Sequence, residues 1–180
     1  YSQSRLLETR DNTSEYTLTL WNILAQSIHT HILENDVSSI AWYDATSCLF
    51  TMNNQCFLWD TTNPASANFT SIGDGGHKLA IHNAMLALCG GNTIRIINPL
   101  TQAIHHAIQF EGVLSGFGNC YSPDGALFAF TLRKNLNDVL LWDIQHNRLG
   151  ATLKTQNMVT AIAWSPDKIQ LLIISYQAGL

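Results

Sequence analysis

The sequence predicts an all-β chain folded as a β-propeller of four-stranded antiparallel blades, and two recurring marks with turn chemistry between them carry that prediction. The first mark is an apolar strand that ends in Trp or Ile followed by Asp or Asn: TLTLWN at 17–22, CFLWD at 56–60, TIRIIN at 93–98 and VLLWD at 139–143. Its key positions, Trp21, Trp59, Ile97 and Trp142, are 38, 38 and 45 residues apart, close to the roughly 40–45-residue period of a blade. The second mark lies upstream of such strands: VSSIAWYD at 37–44, HKLAIHN at 77–83, GNCYSPDG at 118–125 and VTAIAWSPD at 159–167. Aligned on Trp42, Ile81, Tyr121 and Trp164, it repeats at 39, 40 and 43 residues, nearly in step with the first. Helical repeats can share the length but not this pattern, and no 3.6-residue periodicity is sustained for three turns.

Taken in order, each repeat reads as strand a, turn, strand b, turn, strand c, and a more polar strand d. Strand a falls near 37–42, 77–82, 117–121 and 159–164, strand c at 55–59, 93–97 and 138–142, and strand d near 27–33, 67–72, 102–109 and 149–154. Asn53-Asn54 and Gly90-Gly91-Asn92 supply residues that tolerate left-handed backbone and so close b–c hairpins. In Ser122-Pro123-Asp124-Gly125 the proline presets one turn angle and the glycine accepts a positive φ. The expected division is a partial first blade over 1–36, blades over 37–76, 77–116 and 117–158, and the start of a fifth at 159–180, all in one propeller domain.

The W-D and W-N endings, the S-P-D-G turn and the spacing resemble WD repeats, over nearly the whole chain from about Ser4 to Ala178. In that family a Gly-His pair before strand a, the Trp of strand c and an Asp in the b–c turn form a structural hydrogen-bond network. Gly76-His77 matches the first, and Trp21, Trp59 and Trp142 match the second. One blade alone has Gly-His, Ile97-Asn98 replaces the signature dipeptide in that same blade, and Asn53 and Asn92 stand where the turn Asp is expected. The network is therefore degenerate, and stability is expected to come from apolar packing between blades. The resemblance implies a larger, seven-bladed propeller of which four to five blades are visible. The alternative is a four-bladed ring whose last blade is completed by the strand ending at Trp21. The chain begins at Tyr1 without an initiator Met or a signal-peptide pattern, which reads as a portion of something longer.

Composition narrows the function classes. Apolar residues make up 46% of the chain and charged ones 12%, which describes a core-rich protein rather than a disordered one. A net charge of −4 with only 9 Lys plus Arg leaves no basic stripe for nucleic-acid phosphates. Apolar runs such as 171–175 are strand-sized, far from the roughly 20 residues of a membrane helix. Cys48, Cys56, Cys89 and Cys120 are widely spaced without a C-x-x-C pair, as buried thiols in a reducing, intracellular and cytoplasmic setting would be. The sequons at Asn12-Thr13-Ser14 and Asn68-Phe69-Thr70 would matter only in a secreted protein.

The residues that could carry chemistry do not assemble into a site. His29 and His31 share a strand face and His105-His106 lies on the corresponding strand two repeats on, with no Cys or carboxylate cluster to complete a metal cage, so they read as exposed residues of outer d strands. His77 reads as a turn donor rather than a general base. Glu8, Glu15, Glu34, Asp36, Asp44, Asp60, Asp74 and Asp143 are scattered at strand ends, and Gly73-Asp74-Gly75-Gly76 precedes a strand rather than the helix that phosphate binding uses. No G-x-S-x-G, G-x-x-x-x-G-K or H-E-x-x-H is present. No catalytic residue, cofactor or metal is expected.

These readings predict a non-catalytic interaction scaffold within a larger assembly, with other proteins or peptides as partners. Asp36, Tyr43, Asn54, Asp74, Lys78, Asn92, Arg133, Lys134 and Asn157 are the turn and loop positions expected to meet them. The alternatives are a sensor or autoinhibitory propeller of a larger signalling ATPase, and a propeller enzyme with acid–base residues around a central channel.

Overall fold

The computed structural model describes residues 5–7, 16–74, 76, 78–115, 120–167 and 170–176. His77, Glu8, Glu15, the Asn12 sequon and the expected start of strand a at 117–119 lie outside them. All regular structure among the described residues is β. The first sheet holds β1 (Arg5–Leu7), β2 (Tyr16–Asn22) and β3 (Ser27–Leu33). The second holds β4 (Val37–Trp42), β5 (Ser47–Met52), β6 (Gln55–Asp60) and β7 (Phe69–Asp74), and the third β8 (Lys78–His82), β9 (Met85–Gly90), β10 (Thr93–Ile97) and β11 (Ile104–Gln109). The fourth comprises β12 (Cys120–Tyr121), β13 (Leu127–Leu132), β14 (Asn135–Asp143) and β15 (Arg148–Lys154), and the fifth the pair β16 (Met158–Trp164) and β17 (Leu171–Tyr176). Every pairing is antiparallel between consecutive strands, which is the meander of a propeller blade.

The b strands explain how the sheets stack. Cys48-Leu49-Phe50, Leu86-Ala87-Leu88 and Phe128-Ala129-Phe130 are buried residue after residue, because successive side chains go to opposite faces and both faces are covered. Cys48 and Phe50 pack with Leu18, Leu20 and Leu33 of the first sheet, whereas Leu49 packs with Leu86 and Leu88 of the third. Ala87 and Cys89 turn the other way, to Phe128 and Phe130, and Ala129 meets Val159 and Ile162 of the fifth sheet. The first-to-fifth order of the sheets is thus also their packing order.

Strand c repeats the logic with its terminal large residue. Trp59, opposite Cys48 in the ladder, is fully buried against the first sheet and donates its indole N–H to the Ser66 carbonyl at 3.2 Å. Ile97 occupies the same position against the second sheet, and Trp142, opposite Phe128, packs against the third. Trp21 departs from this pattern. Among the described residues no further sheet packs on its face of β2 and β3, where Ile28 and Ile32 are exposed and Trp21 is 42% exposed.

The Asp or Asn after that residue builds the c–d turn. Its side-chain oxygen accepts a backbone N–H two or three residues on: Asn22 from Ala25 (3.0 Å), Asp60 from Thr62 (2.9 Å), Asn98 from Leu100 (2.9 Å) and Asp143 from His146 (3.0 Å). In three of these turns the exit residue, Gln26, Gln102 or Asn147, takes a positive φ of 49–58°. The signature dipeptide thus joins a packing anchor to an Asx turn.

Two stability predictions follow from this packing. Trp59→Ala should destabilise by about 3–5 kcal/mol, as a large buried aromatic does, and Trp21→Ala, whose side chain is only part-buried, by clearly less, read by equilibrium urea denaturation. The two-residue β8–β9 turn places Ala84 at φ +62°, where Asn-Gly is the favoured pair. The left-handed strain of about 1–2 kcal/mol exceeds the roughly 0.4–1 kcal/mol of chain entropy that glycine adds to the unfolded state. Ala84→Gly should therefore stabilise the fold by up to about 1 kcal/mol in the same measurement.

Candidate functional site

Antiparallel alternation sorts the loops onto two ends of the stacked sheets. The b–c turns and d–a connections lie at one, the a–b and c–d turns at the other. Of the residues the sequence offers as contacts, Asp36, Asn54, Asp74, Lys78, Asn92, Arg133, Lys134 and Asn157 gather at the b–c end, and Tyr43 lies at the a–b end. Lys78 is not free to meet a partner: it is half-buried, and its Nζ donates to the Ser38 carbonyl of the second sheet at 3.3 Å. Asn157 is half-buried too, its carbonyl accepting the Thr155 hydroxyl at 2.6 Å. Asp36, Asn54, Asp74, Asn92, Arg133 and Lys134 remain exposed.

A cleft of about 490 Å³ opens at this end between the second and third sheets, lined by Asn53, Asn54, Gln55, Asp74, Gly76, Gly90 and Gly91. Its walls are tight hairpin turns, with Asn53 and Asn54 at φ 53° and 62° and Gly91 at 57°. Gln55 Nε2 donates to Asp74 Oδ1 at 3.2 Å across the wall. Beside the cleft the connection from β11 is fastened to both neighbouring sheets. Phe110 and Leu114 donate their amides to the carbonyls of Asn92 (3.2 Å) and Gly91 (2.8 Å), Ser115 donates to Thr131 (2.9 Å), and Arg133 donates to Val113 (2.8 Å). Lys134 meets Glu111 at 3.8 Å, both exposed. The end is a pre-organised polar surface of mixed charge, with glycine and asparagine backbone bringing main-chain groups close to any occupant.

The histidines stand differently from the expectation of exposed d-strand residues. His105 is exposed and His106 half-buried, but His29 and His31 face the second sheet. His31 packs edge-on against Trp59, ring centroids 5.1 Å apart, and its Nε2 donates to the Pro64 carbonyl at 2.8 Å. Period-two alternation put both histidines on one face, and the packing made that face the inner one. Among the described residues no three His, Cys, Asp or Glu side chains converge as a metal cage. Burial pushes the thiols of Cys48, Cys56 and Cys89 up to about 12 and that of Cys120 to about 11, so all four stay protonated at neutral pH.

Carboxylate chemistry concentrates at the a–b end. Asp44, Asp60 and Asp143 are held below the usual carboxylate range, chiefly by the backbone N–H groups of Thr46, Thr62 and His146 that they accept. Asp143 also meets His146 Nδ1 at 2.8 Å. These are turn-forming carboxylates, each accepting a backbone N–H of its own turn. Among the described residues no helix is long and apolar enough to cross a membrane.

No protein-family model matches this sequence, and no curated protein does. Among solved structures, a chain in the crystal structure of the mitotic checkpoint complex superposes with a TM-score of 0.71 at 18% identity, over 94% of this chain and 53% of its own length. The likeness is one of fold, and this chain spans about half the length of that neighbour.

The turn carboxylates give a pH prediction. Their folded-state acidity is stronger than in the unfolded chain, so the stability they contribute is present above the unfolded value near 3.8 and lost as pH falls through the lower folded values. Replacing Asp44, Asp60 and Asp143 together with Asn keeps a capping oxygen and removes the titration. The Tm advantage of the natural chain over this variant should be level above about pH 5 and shrink as pH falls from there to about pH 2.

Proposed function

We propose that this chain is a WD-repeat interaction propeller, a non-catalytic scaffold that presents its b–c end to partner proteins or peptides within a larger intracellular, cytoplasmic assembly. The observation that carries the reading is the fastened connection at 110–115. Main-chain hydrogen bonds to both flanking sheets hold an exposed polar surface in one shape before any partner arrives, and binding to a pre-ordered surface avoids much of the entropy that loop ordering costs. The fold neighbour belongs to a multiprotein complex, which supports the same class of role. A net charge of −4 argues against nucleic acid as the partner. In this reading the blades over 1–36, 37–76, 77–116, 117–158 and 159–180 form part of one seven-bladed propeller domain.

Affinity capture of the full chain followed by mass spectrometry tests the proposal, with a parallel capture using a variant in which Arg133→Glu, Lys134→Glu and Asp74→Lys reverse the exposed charges. A specific set of proteins retained by the natural chain and reduced at least about tenfold by the variant is expected, as loss of interface hot spots requires. Equal capture by both, or capture of nothing above a control propeller, would overturn it.

A further inference from the structure

We infer that the a–b end carries a second docking pocket, at the seam of the first and second sheets, for a peptide segment in which an aliphatic side chain is followed by lysine or arginine. Nothing in the proposed role of the b–c end requires it. The pocket measures about 180 Å³, and its walls include Leu20, His29, Trp42, Thr46, Thr61 and Pro64. That is room for about six waters at roughly 30 Å³ each, or for one aliphatic side chain, and it is below the roughly 300 Å³ at which small-molecule and cofactor sites begin.

Three observations fix the occupant. First, the pocket is preformed: His31 Nε2 donates to Pro64, Trp59 Nε1 donates to Ser66, and Thr61 N–H and hydroxyl both donate to the Thr46 carbonyl at 2.7 Å. These bonds lock the c–d segment of the second sheet over the first. Second, the β2–β3 turn, which joins the pocket residues Asn22 and Ser27, presents Ile23 and Leu24 at its tip, 53% and 82% exposed. Turn tips ordinarily carry Gly, Asn, Asp, Ser or Pro. Two large aliphatics left this exposed there supply an apolar lip for a bound segment.

Third, two carboxylates adjoin the wall. Asp44 precedes the wall residues Ala45 and Thr46, and Asp60 precedes Thr61. Both carboxylates are exposed, neither lies within ion-pair distance of a lysine or arginine among the described residues, and they are close enough for the charge of Asp44 to act on Asp60. A cationic side chain entering between them relieves that repulsion. An acidic segment adds to it. Aliphatic lip, single-side-chain pocket and adjoining carboxylates together suit an aliphatic–basic segment.

The test is fluorescence anisotropy on the full chain with three labelled peptides sharing Gly-Ser flanks: one with a Leu-Lys-Arg centre, one with Ser-Lys-Arg and one with Leu-Glu-Glu. The first should bind at least about tenfold more tightly than either of the others. Leu24→Ser should weaken it several-fold, and so should Asp44→Asn with Asp60→Asn, a pair that retains the turn-capping oxygens. Asp44→Lys with Asp60→Lys should reverse the preference toward the Leu-Glu-Glu peptide, an effect that a loss of folding cannot produce. Equal binding of the three peptides, absence of binding, or binding unmoved by these variants would overturn the inference. Because Arg133, Lys134 and Asp74 are untouched, its failure leaves the b–c end reading standing, and the converse also holds.

Discussion

Everything in this molecule depends on the burial of one sheet face against the next. A two-stranded hairpin is at best marginally stable alone in water and larger sheets need an apolar face to cover, and here the b strands of the second, third and fourth sheets are buried on both faces because each packs against a neighbour on either side. Leu49 and Phe50 are adjacent in the chain yet belong to different seams. A change at one of them is therefore felt by one interface, and the stability of the whole is close to a sum of sheet and nearest-neighbour terms.

The same constraint explains why a degenerate repeat still folds. The hydrogen-bond network that the WD-repeat resemblance implies is thinned: Ile97 has no side-chain N–H where Trp59 has its indole, and Asn53 and Asn92 occupy b–c turn positions expected to hold Asp. Packing volume at the end of strand c survives in Trp59, Ile97 and Trp142, and so does the Asx turn that follows. Volume and turn geometry are enough to keep the sheets in step. Polar decoration at the b–c turns is free to vary, which is where a partner surface can diversify.

Much of this was legible in the residues. The fold class, the strand alternation and the b–c turns followed from spacing, from β-branched and aromatic runs, and from Asn and Gly at left-handed positions. Three features were not. Trp21 sits in a local sequence context similar to that of Trp59, and it is the sheet packed on Trp59, with none on Trp21 among the described residues, that leaves one buried and the other part-exposed. His29 and His31 could be put on a common face, but periodicity does not say which face is inner. Lys78 read as a solvated loop residue because its bond to the Ser38 carbonyl spans 40 positions of sequence and belongs to tertiary structure alone. Of the candidate surface, the b–c residues were recoverable from turn grammar, whereas the pocket roofed by Pro64 was not, since no local pattern foretells a loop leaning onto the preceding sheet.

The connection at 110–115 has a mechanical consequence. Most seams are held by side chains, which can slide over one another, but this one adds amide bonds on both flanks: Leu114 to Gly91 on one side, Ser115 to Thr131 and Arg133 to Val113 on the other. Tension applied along the chain would part a side-chain seam alone elsewhere, whereas here it must also break these backbone hydrogen bonds. Parting the third sheet from the fourth therefore means breaking backbone hydrogen bonds as well as separating side chains.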